Sequence, residues 1–364
     1  MESNFNVNTK YYYTTSKKLG LPVEIIKHIN GFQFTLGKIN YYFKGLKTPL
    51  NNNCSQDIAR DKYCVNKILA SAGIPVPKAA RITHENFQNN QLEHTIAGLQ
   101  FPLVVKPSLG SLGQDVVCNI PNLEQLKTQM TRLFLNNDCL SIEEFHGNLN
   151  SYRVLVLNQR VIGVIQRYPA HVIGDGQHTI ADLIASANIK RSETSDELAP
   201  IVIDDECQIR LKQLGIDLHY IPKQHERVVL CYTCNATRGG TYEALKTKTC
   251  RKNRQLFSKI ASLVNLKIVG IDVECVDINT PIEDSAGIII ELNASPSVRI
   301  HETPQFGNPN RVTQKIIRSI IYRHPFSYLY MLYKSKKPSP YMKGLIALGF
   351  FIAVFSYYHL KVFI

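Results

Sequence analysis

Short apolar runs separated by polar turns predict that strands and helices alternate along most of this chain. Strands are predicted at residues 103–105 and 116–120, and helices at residues 61–73, 123–135, 179–188 and 256–264. The first of these helices stops at Gly73, which precedes a proline by two positions. Residues 153–166 predict two strands joined by a turn at Asn158 and Gln159. The pattern therefore predicts a fold of mixed α and β content.

Two further apolar runs carry polar side chains in positions that suit a metal. Residues 268–273 and 288–293 are separated by a polar stretch, so they predict an antiparallel hairpin. Because side chains alternate along a strand, Glu291 and Asn293 share a face, and Asp272 is expected beside them. Two carboxylates and an amide oxygen suit Mg²⁺, although each residue alone also fits a polar strand end bonded to backbone. The three together on apolar strands favour a magnesium site.

A loop of small residues follows the strand at residues 103–105. Gly110, Ser111 and Gly113 leave backbone N–H groups open to phosphate oxygens, and Lys106 reaches a phosphate as a point charge. Neither the P-loop pattern nor the dinucleotide-binding glycine pattern occurs in the chain. Taken by itself, such a loop also fits an ordinary turn.

Length, composition and cysteine usage favour a multi-lobed protein of a reducing compartment. The chain has 364 residues, of which 44% are apolar, enough for two or three packed lobes. The first ten residues contain no apolar signal run. The 9 cysteines are odd in number and lack regular spacing, which favours free thiols. Cys231 and Cys234 form a C-x-x-C motif without a second pair, so we expect them to serve packing rather than a metal.

The C-terminal segment differs in character from the rest of the chain. No Asp or Glu follows Glu302, whereas Lys or Arg occurs at positions 311, 315, 318, 323, 334, 336, 337, 343 and 361. Residues 344–358 are almost wholly apolar, close to the minimum of about 20 residues for a membrane span. We expect this tail to attach to membrane lipid, with the basic flank on the cytoplasmic side. A buried helix and an interfacial helix are the alternatives. Nucleic-acid binding is not expected, because the charge lies beside an apolar segment.

Several motifs together resemble a known family. They are Asp61-Lys62, LASAGIPVP at residues 69–77, RYPAHVIGDGQHTI at 167–180, NATRGGT at 235–241 and NASPSVRIH at 293–301. The chain resembles the ATP-grasp carboxylate–amine ligases, and most of all the ATP-grasp domains of cyanophycin synthetase and of bifunctional glutathione synthetases. The resemblance runs from about residue 18 to residue 307. It implies an α+β ATP-grasp fold with two α+β lobes gripping ATP, a short N-terminal lead-in and a C-terminal apolar helix.

The resemblance also implies roles for individual residues. The implied ATP contacts are Lys62, Lys106, Ser108, Gly110, Ser111, Gly113 and the hinge Glu143, Glu144 and Phe145. The implied catalytic residues around the acyl phosphate are Arg153, Arg167, Asn235 and Arg299. His171, Gly239 and Gly240 would contact substrate, although His171 fits equally well as a partner for nearby backbone. Asp272, Glu291 and Asn293 would hold Mg²⁺ or Mn²⁺.

Four positions depart from the family pattern. Leu109 and Asp115 lie in the phosphate loop, where the family usually has an acidic or small residue and a further glycine, respectively. Ser151 stands where an acidic residue often precedes the Arg153 motif, and Ser297 replaces a common glycine. These changes keep open a version of the domain without turnover.

The predicted activity is ATP- and Mg²⁺-dependent formation of an amide bond on an amino acid or short peptide. Alternatives are a membrane-associated nucleotide-binding module without turnover and a structural membrane adaptor. The predicted parts are a lead-in at 1–55, ATP-grasp lobes at 56–145 and 146–310, a basic linker at 311–343 and an apolar tail at 344–364. The expected location is a cytoplasmic catalytic body attached to a membrane by the C-terminus, as a monomer or a homo-oligomer.

Overall fold

The computed structural model describes residues 5–110, 115–194, 199–235, 238–245 and 249–334, together with positions 344, 348, 349 and 351. The chain divides into two compact units. The first unit contains Met1–Pro49, Ser297–Glu302 and Arg311–Ile364, and the second contains Leu50–Pro296 and Thr303–Asn310. The domain boundaries expected from the sequence stay predictions.

Strands and helices are both abundant, so the expected mixed α and β content is confirmed. The strands are β1 (Glu24–Ile26), β2 (Gly31–Leu36), β3 (Ile39–Phe43), β4 (Ala79–Thr83), β5 (Leu103–Pro107), β6 (Val117–Ile120), β7 (Cys139–Glu144), β8 (Asn150–Leu157), β9 (Arg160–Tyr168), β10 (His171–Ile173), β11 (Arg227–Val229), β12 (Thr241–Ala244), β13 (Ile268–Cys275), β14 (Ile288–Asn293) and β15 (Phe306–Gly307). The helices are α1 (Val7–Lys18), α2 (Asn53–Arg60), α3 (Lys62–Ser71), α4 (His84–Gln88), α5 (Leu92–Ile96), α6 (Leu123–Leu133), α7 (Ile180–Thr194), α8 (Asp205–Gln213), α9 (Arg251–Leu263), α10 (Arg299–Glu302), α11 (Val312–Ile321) and α12 (Pro325–Lys334).

The first unit is built around an aromatic core. Strands β1, β2 and β3 form an antiparallel sheet in that order. The rings of Phe32 and Phe43 stack at 5.0 Å, and Tyr12 of α1 lies against Phe43 at 5.1 Å. The hydroxyls of Thr15 and Thr313 lie 3.0 Å apart and join α1 to α11. Residues from both ends of the chain therefore share one core.

The second unit contains the elements on which the predicted site residues other than Arg299 lie. A six-stranded sheet has the order β14-β13-β8-β9-β12-β15, and a four-stranded sheet has the order β4-β7-β5-β6. A separate two-stranded ribbon pairs β10 with β11. Helix α9 packs on the larger sheet through Phe257 and Ile260, and α6 packs on the smaller one through Leu126 and Met130. Each sheet thus buries one apolar face against helices.

The β8–β9 hairpin confirms the turn predicted at Asn158 and Gln159. Both residues have positive φ, at 46° and 64°, as the two-residue turns that match strand twist require. Helix α3 also confirms its prediction. The Asp61 side chain caps the helix by accepting a hydrogen bond from Cys64 N at 2.9 Å. Gly73 ends it with φ of 70°, a conformation that glycine adopts without strain.

The strands predicted to carry the metal ligands pair as expected. Strands β13 and β14 are antiparallel, with Asp272 opposite Glu291 and Gly270 opposite Asn293. The register shifts by one residue after Asp272, which is a β-bulge. Helix α9 begins five residues earlier than predicted, at Arg251. Arg251, Lys252 and Arg254 in its first turn are charged and exposed, so apolar spacing did not mark that turn.

The predicted apolar tail at 344–364 lies outside the described residues except at positions 344, 348, 349 and 351, which are helical. Within the part of the chain that the structure describes, no helix combines the length and the apolar character that crossing a membrane requires. Attachment of the tail to a membrane therefore stays a prediction.

Candidate active site

A cluster of paired charges lies where β8, β9 and β13 run side by side. Asp272 is opposite Arg153, and Ser151 is opposite Arg167. Arg153 donates to Asp272 through Nε and, at 2.9 Å, through Nη2, and Arg167 Nη1 donates to Asp272 Oδ2 at 3.0 Å. The sheet therefore brings together two predicted catalytic arginines and one predicted metal ligand.

Asp272 is ionised in this cluster. The residue is only 4% exposed, and burial by itself would raise its pKa. The charges and hydrogen bonds of Arg153 and Arg167 outweigh burial, so the pKa of Asp272 lies below its ordinary value. Burial opposes the charge of Arg167 too, but Asp272 raises the pKa of that guanidinium. Each partner thus keeps the other charged.

Ser151, one of the departures from the family pattern, has a partner here. Its hydroxyl accepts a hydrogen bond from Arg167 Nη2 at 2.9 Å. The side chain therefore fixes the arginine that also bonds Asp272. A serine in place of an acidic residue leaves Asp272 as the carboxylate that pairs with this guanidinium.

Glu291 and Asn293 lie on β14, which pairs with β13, and Glu291 is opposite Asp272. Asn293 Nδ2 donates to Glu291 Oε1 at 2.9 Å, and both side chains are partly exposed. Burial lowers the pKa of Lys62, and the opposing negative charge of Glu291 does not outweigh it.

Lys106 is buried in an ion pair. Its Nζ lies 2.7 Å from Glu143 Oε2, and both side chains are 5% exposed. The Ser141 hydroxyl donates to the other oxygen of Glu143 at 3.1 Å. Burial alone would lower the pKa of Lys106, but the Glu143 charge and hydrogen bond raise it above its ordinary value. Two residues predicted for different parts of the ATP contact are thus partners of each other.

The start of the predicted phosphate loop is tied to the start of α3. Lys62 N donates to Ser108 O at 3.1 Å, and Lys62 Nζ donates to Gly110 O at 3.0 Å. Ser108 N in turn donates to Cys139 O on β7 at 3.1 Å. Ser111 and Gly113 lie outside the described residues. Asp115, beyond them, is exposed and has φ of 57°.

The predicted hinge has its own bonding pattern. Glu144 N donates to Lys78 O at 3.0 Å, and Phe145 N donates to Pro102 O at 2.9 Å. Phe145 also packs edge-to-face on Tyr232 at 5.2 Å. The two N–H groups are therefore engaged within the protein, and contact of this hinge with adenine stays a prediction.

The predicted substrate residues around NATRGGT are packed closely. Gly240 N donates to Asn235 O at 3.0 Å, and a Cβ on Gly240 would lie only 2.7 Å from that oxygen. Gly239 has φ of 87° and contacts Ile201 with no room for a side chain. His171 Nδ1 lies 3.0 Å from Pro169 O, and burial lowers the pKa of the ring. This contact fits the alternative given for His171, in which the ring bonds to nearby backbone instead of substrate.

Arg299 belongs to the first unit, unlike the other predicted site residues. Its backbone N donates to Asn8 Oδ1 at 3.2 Å, as do Val298 N at 2.9 Å and the Ser297 hydroxyl at 3.0 Å. Asn8 on α1 therefore holds the segment that begins α10. Ser297, another departure from the family pattern, contributes its hydroxyl to this arrangement.

One family model matches the part of the chain that carries the two lysines, the predicted hinge and the two arginines. Residues 59–231 match the family model of a RimK-like ATP-grasp domain. This chain carries an ATP-grasp domain. The resemblance predicted from its motifs is thereby confirmed.

Relatives of the ATP-grasp protein extend the match beyond that domain. The chain is 30% identical over 319 residues to a cyanophycin synthetase of Trichormus variabilis, which covers 87% of this chain and 35% of the relative. It is 25% identical over 295 residues to a bifunctional glutathione biosynthesis protein of Pasteurella multocida, covering 78% of this chain and 38% of the relative. The chain thus spans little more than a third of each of these relatives.

A solved structure supports the fold of the ATP-grasp protein. The crystal structure of a bifunctional glutathione synthetase from Pasteurella multocida has a TM-score of 0.61 with this chain at 23% identity. The alignment covers 88% of this chain and 44% of that one. At this identity the likeness concerns the fold alone.

The fit of a divalent metal to the three predicted ligands depends on which of their side-chain oxygens are already hydrogen-bonded within the protein. Glu291 and Asn293 supply a carboxylate and an amide oxygen, the hard donors that Mg²⁺ prefers. Asp272 is bonded to two arginines, so it would have to exchange a guanidinium for a metal. Among the described residues, no group of three His, Cys, Asp or Glu side chains is arranged to hold an ion. The Glu291–Asn293 pair is therefore the part that fits, and the full triplet stays a prediction.

Two carboxylates of the ATP-grasp domain were missed by sequence reasoning. Glu274 lies two positions after Asp272 on β13, and burial raises its pKa to about 7, against the opposing charges of Arg167 and Lys106. Alternation along the strand was the signal that could have found it. Glu206 accepts hydrogen bonds from Tyr232 N and Thr233 N, each at 2.9 Å, and pairs with Arg238. No local pattern marked Glu206, because these partners are distant in sequence.

Proposed function

We propose that this ATP-grasp protein is an ATP- and Mg²⁺-dependent carboxylate–amine ligase that acts on an amino acid or short peptide. The observation that carries the proposal is geometric. Strand β13 sets Asp272 opposite Glu291 and Arg153. Lys62 Nζ donates to Gly110 O at 3.0 Å in the loop that follows Lys106. We infer that these carboxylates and lysines serve one nucleotide and metal site. The names of the relatives, which are synthetases, support the same class of reaction.

The proposed reaction needs no nucleophile from the protein. A substrate carboxylate attacks the γ-phosphorus of ATP, giving an acyl phosphate and ADP. An amine then attacks the acyl carbon and expels phosphate, and its excess proton goes to solvent. Positioning and neutralisation of phosphate charge supply the rate. Buried cations and a rigid sheet are the features that such chemistry uses.

The residues divide this work according to their chemistry. Lys62 and Lys106 supply positive charge to the phosphates, and the backbone that begins at Ser108 would face them. Arg153 and Arg167 present the planar forks that bind carboxylate or acyl phosphate bidentately. Both are oriented by Asp272, so their position is fixed before substrate arrives. When bound through Glu291 and Asn293, Mg²⁺ or Mn²⁺ would add further positive charge beside the phosphates.

ADP release in the presence of candidate acids and amines tests this proposal. Amino acids and dipeptides are screened in pairs with ATP and Mg²⁺, and ADP is expected only with a matching acid and amine. Glu291→Gln should abolish ADP release, whereas Glu124→Gln, an exposed carboxylate on α6, should retain it. Circular dichroism of both variants checks that they are folded. Full activity of folded Glu291→Gln would remove the metal role from this residue.

Binding of an ATP analogue tests the lysines separately from turnover. Lys106→Met should weaken binding strongly in calorimetry, because a phosphate loses a charge-assisted partner. The substitution also leaves Glu143 without its cation, so Glu143→Gln with Lys106 intact is the matched control. If both variants bind the analogue as the parent does, Lys106 does not contact phosphate.

A nucleotide-binding module without turnover is the second candidate. The observation that favours it is that both oxygens of Asp272 are bonded to arginines. In that case the parent protein would bind the ATP analogue while no acid and amine pair released ADP. A matching pair that gives ADP would exclude this candidate.

We further propose that the C-terminal tail attaches a cytoplasmic catalytic body to a membrane. The support is the run of basic residues without any Asp or Glu after Glu302 and the apolar sequence at 344–358. Removal of residues 341–364 should release the protein from the membrane fraction and preserve binding of the ATP analogue. A full-length chain that stays out of that fraction would contradict the proposal, and sedimentation of the same sample reports whether it forms a homo-oligomer.

A further inference from the structure

Helix α12 of the first unit carries an exposed stripe of aromatic side chains. Phe326, Tyr330 and Tyr333 are 51%, 56% and 48% exposed. Their spacing of four and three residues places them on one face of the helix. Tyr322, which is 73% exposed, lies in the turn before α12. Aromatic side chains this large are normally buried, so a contiguous exposed row points to a binding surface.

The other face of α12 fixes the helix to its own unit. Tyr328 Oη donates to Leu19 O at 2.7 Å, and a Cβ on Gly20 would lie 3.2 Å from Leu332 Cδ2. Gly37 is equally close to Ser327, whose Oγ would lie 3.2 Å from such a Cβ. Since this face is packed, the helix holds the aromatic stripe in a set orientation.

The charged residues that α12 and its sequence neighbours carry are of one sign. Arg318, Arg323 and Lys334 are exposed, and Lys334 Nζ lies 4.7 Å from the Tyr330 ring centroid. No Asp or Glu occurs in the chain after Glu302. A partner that meets this surface must therefore accept aromatic rings and carry negative charge.

We propose that the stripe on α12 binds the headgroup layer of an anionic lipid bilayer. Tyrosine rings have an apolar body and a polar tip, so they are suited to the boundary between acyl chains and headgroups. Exposed Lys and Arg beside them attract anionic lipid. The sequence after α12 continues with basic residues and then with the apolar residues 344–358. Neither part contains an Asp or Glu.

This inference extends the proposed membrane attachment from the tail to a helix of the body, and the two can fail separately. The tail could anchor the protein while α12 faces water. The stripe could also be covered by the tail itself, by a second copy of the chain or by a nucleic acid, whose bases stack on aromatic rings. One experiment separates lipid binding by the stripe from all of these alternatives.

A single tryptophan reports the environment of the stripe, because the chain contains none. The full chain carrying Phe326→Trp is mixed with vesicles of phosphatidylcholine with about one-third phosphatidylglycerol, in which the lipid acyl chains are brominated near the headgroup. We expect a blue shift and quenching of the emission. Leu135→Trp, an exposed position (79%) in the second unit, is the matched control and should show neither. Tyr330→Trp provides a second reporter if Phe326→Trp does not fold.

Four results would overturn the inference. Vesicles that sediment the protein without quenching Phe326→Trp would assign attachment to the tail alone. Emission that is already blue-shifted without vesicles would mean that the tail or a second copy covers the stripe. Equal quenching by purely phosphatidylcholine vesicles would remove the role of the cations. A shift caused by a single-stranded oligonucleotide but not by vesicles would assign the stripe to nucleic acid.

Discussion

Replacing Asp272 by asparagine tests how the charge cluster of the larger sheet stabilises the protein. The carboxylate is 4% exposed and bonds both Arg153 and Arg167. Asparagine keeps the shape but removes the negative charge, so two largely buried guanidiniums lose the carboxylate that pairs with them. Breaking a buried ion pair from one side costs about 3–5 kcal/mol. We expect Asp272→Asn to lower the free energy of unfolding by about that amount at neutral pH.

The pH dependence of this loss follows from the direction of the pKa shift. The pKa of Asp272 is lower in the folded protein than in the unfolded chain, because the arginines outweigh burial. The carboxylate therefore contributes stability above its unfolded pKa of about 3.9, and this contribution is lost as the pH falls through the folded value. The difference between parent and Asp272→Asn should be constant above about pH 5 and shrink towards about pH 3.

Urea unfolding followed by circular dichroism measures this difference at each pH. Asp57→Asn is the matched control, since Asp57 pairs with Arg60 at 3.4 Å but both side chains are exposed. An exposed pair contributes about 0–1 kcal/mol, so this variant should resemble the parent. The reasoning is refuted if Asp272→Asn loses less than about 1 kcal/mol at pH 7, or if its loss does not change with pH.

Three further substitutions test other features. Glu274→Gln should be more stable than the parent above pH 7 and similar to it well below pH 7. Burial raises the pKa of Glu274 to about 7, so ionisation of this carboxyl costs stability. Urea unfolding above pH 7 and well below pH 7 measures the difference. Gly240→Ala should lower the midpoint of thermal unfolding, since its Cβ would lie 2.7 Å from Asn235 O, whereas Gly98→Ala, with nothing within 4 Å, should not. Asn8→Ala should cost about 1–3 kcal/mol in urea unfolding, because three donors lose their acceptor.

Local patterns predicted the elements that carry the site. The β8–β9 hairpin, α3 and the β13–β14 pair all depend on neighbours in sequence, either a short turn, a cap or a short polar loop. Period-two alternation then placed Glu291 and Asn293 on one face. Such features are readable from one sequence because the interactions that decide them lie within a few residues.

Partners distant in sequence could not be predicted. Lys106 and Glu143 were assigned separate roles, yet they are ion-paired across β5 and β7. The first unit joins residues 5–49 to 297–302 and 311–334, a choice made by aromatic and aliphatic packing over almost the whole chain. Composition and spacing contain no information on which buried cation meets which carboxylate. The sheet register decides it.

The arginine partners of Asp272 change what a loss of activity means at this position. A variant that leaves Arg153 and Arg167 uncompensated can fail through folding or through misplaced guanidiniums, without any metal being involved. Glu291 has Asn293 as its side-chain hydrogen-bond donor at 2.9 Å and is partly exposed, so its amide variant disturbs less. The metal assignment therefore depends on Glu291→Gln rather than on Asp272→Asn. If Glu291→Gln keeps its stability and loses ADP release while Asp272→Asn loses both, the two carboxylates have different tasks. Glu291 would then serve turnover, and Asp272 would serve the position of Arg153 and Arg167 and the stability of the sheet.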